Sequence, residues 1–162
     1  MVIPQLHKMR LNHSPYLKII SGMKTIELRL YDDKRQKVCV GDFIEFSDTD
    51  TGENLIVQVK ELHRFSSFKD LYNALSAYKF GYSADEEANP DDMMAYYSLG
   101  EQTKYGVVGI EIIVCENQGN INLYFKQKAL LDTFLEHHAI SQAQYDKSLH
   151  DLTEKMNVTE LR

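Results

Sequence analysis

Between residues 25 and 31 the chain alternates without a break, with Ile26, Leu28 and Leu30 on one side and Thr25, Glu27 and Arg29 on the other. A period of two marks a strand. It also puts a carboxylate and a guanidinium on one face, two residues apart. Directly upstream, Gly22-Met23-Lys24 stands where a helical pattern stops, so the whole string reads Gly-x-Lys-x-x-Glu-x-Arg. Lys24 has the wrong parity for the Glu27 face. It joins the other two charges only if the turn at Gly22 and Met23 redirects its side chain before regular pairing begins.

Around that string, strands and short helices succeed one another. Residues 6–11 suit a first strand, and Ser14 and Pro15 suit a helix start as N-cap and first helical residue. Gly22 is free to end that helix in the left-handed conformation. After a charged turn over residues 32–37 come a short extended piece over 38–40 and a turn at Gly41-Asp42. A strand from Phe43 to Phe46, a polar hairpin loop and an alternating strand over 55–62 follow. Phe68, Leu71, Tyr72 and Leu75 fall at helical spacing. Residues 78–90 are irregular, aromatic at Tyr78, Phe80 and Tyr82, and read as a loop over an opening. A third helix is expected from Pro90 to near Gly100, carrying Met93, Met94, Tyr96 and Tyr97. The apolar run over 105–115 is expected to be an interior strand that closes the domain.

Past Glu116 the pattern changes to two amphipathic helices, the second opened by a Ser141-x-x-Gln144 capping box. The expected organisation is a main domain over 1–116 and a helical hairpin over 117–162. A segment of about 40 residues is too small to hold a robust core. The hairpin must therefore pack on the main domain, on another copy of the chain in a homodimer, or on a protein partner through residues 120–162.

The full chain has 162 residues, 43% of them apolar, and a formal net charge of −6. That charge argues against nonspecific wrapping of a phosphate backbone, which needs clustered Lys and Arg. No segment has the length and apolarity of a signal peptide or membrane span, so a cytoplasmic protein without membrane contact is expected. Cys39 and Cys115 read as buried thiols, and no Cys-x-x-Cys or His-x-x-x-His spacing occurs. Neither a metal site nor a cofactor is expected. His13 and His63 read as a surface and a strand-end residue.

Four ordered elements carry a family resemblance: the Gly22-x-Lys24-x-x-Glu27-x-Arg29 string after a short helix, the Val40-Gly41-Asp42 turn, the Ser67-Phe68-x-x-Leu71 helix, and Lys104-Tyr105-Gly106-Val107-Val108-Gly109-Ile110. Over residues 6–114 the chain resembles an ASCH domain. The resemblance implies an α+β fold, a PUA-like mixed β-barrel flanked by short helices, here extended by the C-terminal hairpin. It also implies a cleft facing the motif strand that binds RNA or a nucleoside-like small molecule. Some members are amidohydrolases acting on acetylcytidine, in which a lysine at the place of Lys24 activates a threonine three residues later. Here that place is Glu27.

Two chemistries follow from the residues. For amide hydrolysis, Lys24 and Glu27 are the catalytic candidates, with Glu27 activating water, Lys24 or Arg29 stabilising the oxyanion, and Tyr97 or Tyr105 positioning the base. For binding alone, Lys24 and Arg29 hold a phosphate or base edge and Glu27 accepts from an exocyclic amine. Tyr97 and its aromatic neighbours then offer a stacking surface. A carboxylate between two cations is a weak base, so binding is the stronger expectation.

Overall fold

The structure, a computed structural model, describes residues 2–158. Five strands form one mixed sheet: β1 (Leu6–Leu11), β2 (Ile26–Leu30), β3 (Phe43–Asp48), β4 (Asn54–Phe65) and β5 (Val107–Val114), in the order β1-β3-β4-β5-β2. The β1–β3 pair is parallel and the other three are antiparallel. Although β1 and β2 are the outermost strands of that order, side chains reach across from one to the other. An Arg29 guanidinium N–H donates to the Arg10 carbonyl at 2.7 Å, and Lys34 Nζ donates to the Lys8 carbonyl at 2.7 Å. The sheet therefore curls into a half-barrel, and two cations occupy edge carbonyls of β1 that would otherwise need water.

Three apolar clusters follow from the alternation of the strands. Met9, Ile44, Phe46, Val57, Val59, Val108 and Ile110 fill the inside of the curl. Helix α1 (His13–Ile20) lays Tyr16 and Ile19 onto that cluster. On the outside of β2 and β5, Ile26, Leu28, Leu30 and Val107 pack against Phe68 and Leu71 of α2 (Phe68–Ala74) and against Phe80. β2 is thus covered on both faces. Helix α3 (Leu99–Tyr105) precedes β5, and its Gln102 side chain accepts from the Phe68 N–H at 3.0 Å.

The third cluster explains the hairpin. Helices α4 (Gln118–Glu136) and α5 (Gln142–Met156) bring Tyr124, Phe125, Leu149 and the following Val158 onto Phe43 and Ile56, on the outer face of β3 and β4. Gln118 fastens the start of α4 to the sheet: its side-chain oxygen accepts from the Ile56 N–H, and its amide donates to the Ile56 and Cys115 carbonyls, all at 2.7 Å. Tyr124 lies edge-on to Phe125 with ring centroids 4.9 Å apart, and its hydroxyl bonds that of Thr153 at 2.9 Å. Among the described residues no helix is long and apolar enough to cross a membrane.

Several elements differ from the sequence expectation. Helix α1 begins at His13, so Ser14 lies inside it, and Asn12 at the N-cap position makes no side-chain capping bond. Residues 38–40 form no strand. They are held instead by Asp42, whose carboxylate accepts from the Gln5 and Cys39 N–H groups and bonds His7. Cys39 is accordingly exposed rather than buried, while Cys115 is half-buried and its thiol is pushed up to about 11 by burial. The expected third helix is a 3-10 turn, Pro90–Ala95, followed by a break and then α3. A Ser98-x-x-Glu101 capping box, both halves of which form, was the sequence signal for that later start.

Replacing Tyr124 separates the two parts of the hairpin's anchorage. Tyr124→Phe removes only the buried hydroxyl bond and should cost about 1 kcal/mol. Tyr124→Ala also opens a cavity and should cost about 3–5 kcal/mol. Urea unfolding of both variants checks the pair of values.

Candidate functional site

The turn after α1 does what the parity of Lys24 requires. Gly22 takes φ +80°, the Lys24 N–H donates back to the Lys18 carbonyl at 3.0 Å, and Lys24 pairs with Phe80 in an isolated β-bridge. Its ammonium then lies 3.2 Å from Glu27 Oε1. On the other side, an Arg29 nitrogen lies 3.4 Å from Glu27 Oε2, and the Leu28 N–H donates to Oε1 at 2.9 Å. Lys24, Glu27 and Arg29 converge.

They converge in an unusual place. Glu27 is the register partner of Ile110 and Arg29 that of Val108, so both point into the curl of the sheet rather than to solvent. The Glu27 side chain is only 5% exposed and that of Lys24 10%. Exposed strand pairs of this kind are common and nearly neutral in energy, but a buried one is different. Ion pairs taken out of water are often no more stabilising than apolar residues of the same volume. Stability alone therefore gives no reason for this triplet.

Burial by itself pushes the Glu27 carboxyl up. The charges of Lys24 and Arg29, with the bonds from Lys24 and the Leu28 N–H, outweigh burial and hold it below the ordinary value of 4.5. Glu27 is ionised at neutral pH and is a correspondingly weak base.

The triplet forms the floor of a cleft of about 570 Å³. Arg10 from β1 and Lys18 from α1 add two more cations to its lining, while Glu27 is the only carboxylate there among the described residues. Lys18 is steadied by its bond to the Gly81 carbonyl at 2.9 Å. Asn12 and Ser14 bring the first turn of α1 to the rim, where backbone N–H groups and the helix dipole favour an anion. The opposite wall is Phe80, Met93, Tyr96 and Tyr97. Tyr97 stacks on Phe68 with centroids 5.7 Å apart, and its phenol is pushed up by burial. Tyr96, 61% exposed, stands beside it.

Of the five residues singled out from the sequence, four meet here and Tyr105 does not. It lines a separate recess with Tyr31 and Arg64, and its ring lies under the Lys104 ammonium at 4.9 Å. Thr25 is also outside the cleft lining, its N–H spent on the Lys79 carbonyl at 2.9 Å. Phe80, one of the aromatics of the segment read as a loop over an opening, does line the cleft, whereas Arg10, Lys18 and Met93 were missed, because nothing in their local spacing ties β1 and α1 to that opening. His13 bonds Asp48 at 2.6 Å at the start of α1.

The ion cluster sets a pH dependence. Because the Glu27 carboxyl is lower in the folded chain than its ordinary value of 4.5, its ionisation stabilises the fold above that value and the contribution is lost as pH falls through the folded value. Glu27→Gln should lower stability at neutral pH by about 3–5 kcal/mol, since it leaves two buried cations without their partner. It should also flatten the acid limb. Thermal unfolding of parent and variant from neutral pH into acid checks both.

Two solved structures are similar to this chain. The hypothetical protein PH0355 aligns with a TM-score of 0.58 at 30% identity, covering 68% of this chain and 99% of that one. Protein PF0455 from Pyrococcus furiosus gives a TM-score of 0.54, also at 30% identity, covering 68% and 98%. No curated protein sequence matches the chain. The profile of the ASCH domain matches residues 10–116, a span that contains every residue lining the cleft. With half-barrel, motif strand and profile in agreement, the chain belongs to the ASCH domain family.

Proposed function

We propose that this chain is a cytoplasmic RNA-binding or nucleotide-binding protein whose ligand enters the cleft over Lys24, Glu27 and Arg29. The observation that carries the reading is electrostatic. In a protein of net charge −6, four cations gather around one carboxylate that two of them already neutralise. Low-dielectric walls focus such a field onto an incoming anion. Arg10, Lys18 and the first turn of α1 suit a phosphate, and exposed Tyr96 suits stacking by a base. Glu27 Oε1 is taken by Lys24 and Leu28, but among the described residues Oε2 has only the long contact to Arg29 and retains a lone pair for an exocyclic amine. The volume lies within the range of about 300–1,000 Å³ typical of small-molecule sites, which suits a nucleotide better than a long strand held along its length.

Amidohydrolysis of an acylated cytidine, with Lys24 and Glu27 as catalytic residues, is the alternative. The geometry favours binding, because Glu27 is held below the ordinary carboxylate value and Thr25 does not line the cleft. Assembly through residues 120–162 is a separate proposal, favoured by Leu123, Leu130 and Phe134, which α4 leaves 40–53% exposed. Sedimentation showing one mass for parent and Leu130→Glu alike would count against it.

Calorimetry over a panel of short RNAs and nucleotides should find a ligand whose affinity falls with salt. Lys18→Ala, away from the buried triplet, should weaken it and reduce the slope of log K against log salt by about one. Lys24→Glu should abolish binding. No ligand in the panel, or variants that bind like the parent, would sink the reading. Release of acetate from acetylcytidine at high protein concentration, followed by mass spectrometry, would replace it with the hydrolase.

A further inference from the structure

A second cluster lies on the other side of the strands that carry the cleft. Glu61 of β4 and Glu111 of β5 are direct cross-strand partners, and His63 stands two residues beyond Glu61 on the same face. The register shifts between Val59 and Glu61, a bulge that sets Glu61 against Glu111 in place of the regular partner. Two carboxylates placed directly opposite on a sheet repel each other; in this structure a hydrogen bond to His63 and the nearby Lys60 ammonium offset the charge of Glu111, a role a bound cation would take over.

The ligand atoms are spaced for one. His63 Nε2 lies 2.9 Å from Glu111 Oε2 and 3.8 Å from Glu61 Oε2, and a set of one atom from each residue lies within 4.8 Å of one another. A tetrahedral ion with bonds of about 2.0–2.2 Å separates its ligands by about 3.3–3.6 Å, between those two distances. We propose that Glu61, His63 and Glu111 form a zinc site with its fourth position open to water. Imidazole with two carboxylates selects zinc over calcium or magnesium, which take all-oxygen shells of six or more ligands. Two carboxylates also balance a divalent charge. Lys60, whose ammonium is 4.0 Å from the other Glu111 oxygen, is 55% exposed and free to turn into solvent as the ion arrives.

The site is distinct from the cleft. Glu111 is the register partner of Ile26, whose side chain faces the outer cluster, whereas Glu27 faces inward with Ile110. An ion here would tie the bulged part of β4 to the strand that pairs with the motif strand. The spacing rules that exclude zinc from the sequence count ligands along a helix or loop. In this chain two ligands follow one strand as Glu-x-His and the third comes from across the sheet.

Isothermal titration of the full chain with zinc chloride at neutral pH, after dialysis against chelator, tests the site. One ion should bind per chain and raise Tm, with calcium and magnesium far weaker. Loss of even an outer-shell partner costs about 10–100-fold in metal affinity, so Glu61→Gln and His63→Ala should each weaken zinc by at least about tenfold. Glu61→Gln alters a side chain that is 61% exposed, so it keeps the test valid if His63→Ala fails to fold. Absence of zinc binding at millimolar concentration, binding unchanged in Glu61→Gln, or calcium or magnesium binding as tightly as zinc would each overturn the proposal.

Discussion

Arg29 makes two contacts that hold different parts of this molecule in place. One links β2 to the Arg10 carbonyl of β1, spanning the outermost strands of the sheet, and the other pairs with Glu27 inside the curl. One guanidinium therefore takes part both in the contacts that span the curl, together with Lys34, and in the charge on the cleft floor, together with Lys24. Both contacts come from one guanidinium nitrogen, whose two N–H donors serve the carbonyl and the carboxylate together. Lys24 completes the arrangement from a turn rather than a strand, and that turn depends on the positive φ of Gly22.

The packing around the triplet determines its chemistry. Because Ile26, Leu28 and Leu30 are buried against α2 and Phe80, β2 cannot rotate to expose Glu27. A one-residue slip in register would reverse its faces and bury the wrong side chains. The carboxylate stays where it is, desolvated but ionised, and serves as a fixed counter-charge and acceptor more readily than as a base that takes up and releases protons. The C-terminal hairpin acts on the far side of the sheet, where Tyr124 and Phe125 cover Phe43 and Ile56.

Elements defined by local pattern were legible. The alternation of β2, the helical spacing around Phe68 and Leu71, and the apolar run of β5 all appear in the fold, as does the capping box that opens α5. Elements that depend on partners far along the chain were not. Residues 38–40 look extended, yet Asp42 holds them in a turn through Gln5, Cys39 and His7, an arrangement that no short window reveals. Pro90 gave a sound helix start, but only a 3-10 turn followed, because the apolar side chains after it serve the cleft wall and the α2 cluster.

By itself the sequence determined which residues of the motif share a face, that Lys24 needed a turn to join them, and which family the order of elements resembles. Those properties depend on chain stereochemistry over a few residues. Only the tertiary structure decided that the shared face points into the half-barrel, that Arg10 and Lys18 join the cleft while Tyr105 leaves it, and that Glu61 and Glu111 meet across two strands. The physical reason is that sheet order, curvature and register bring together groups tens of residues apart, and local periodicity carries no information about which strands become neighbours.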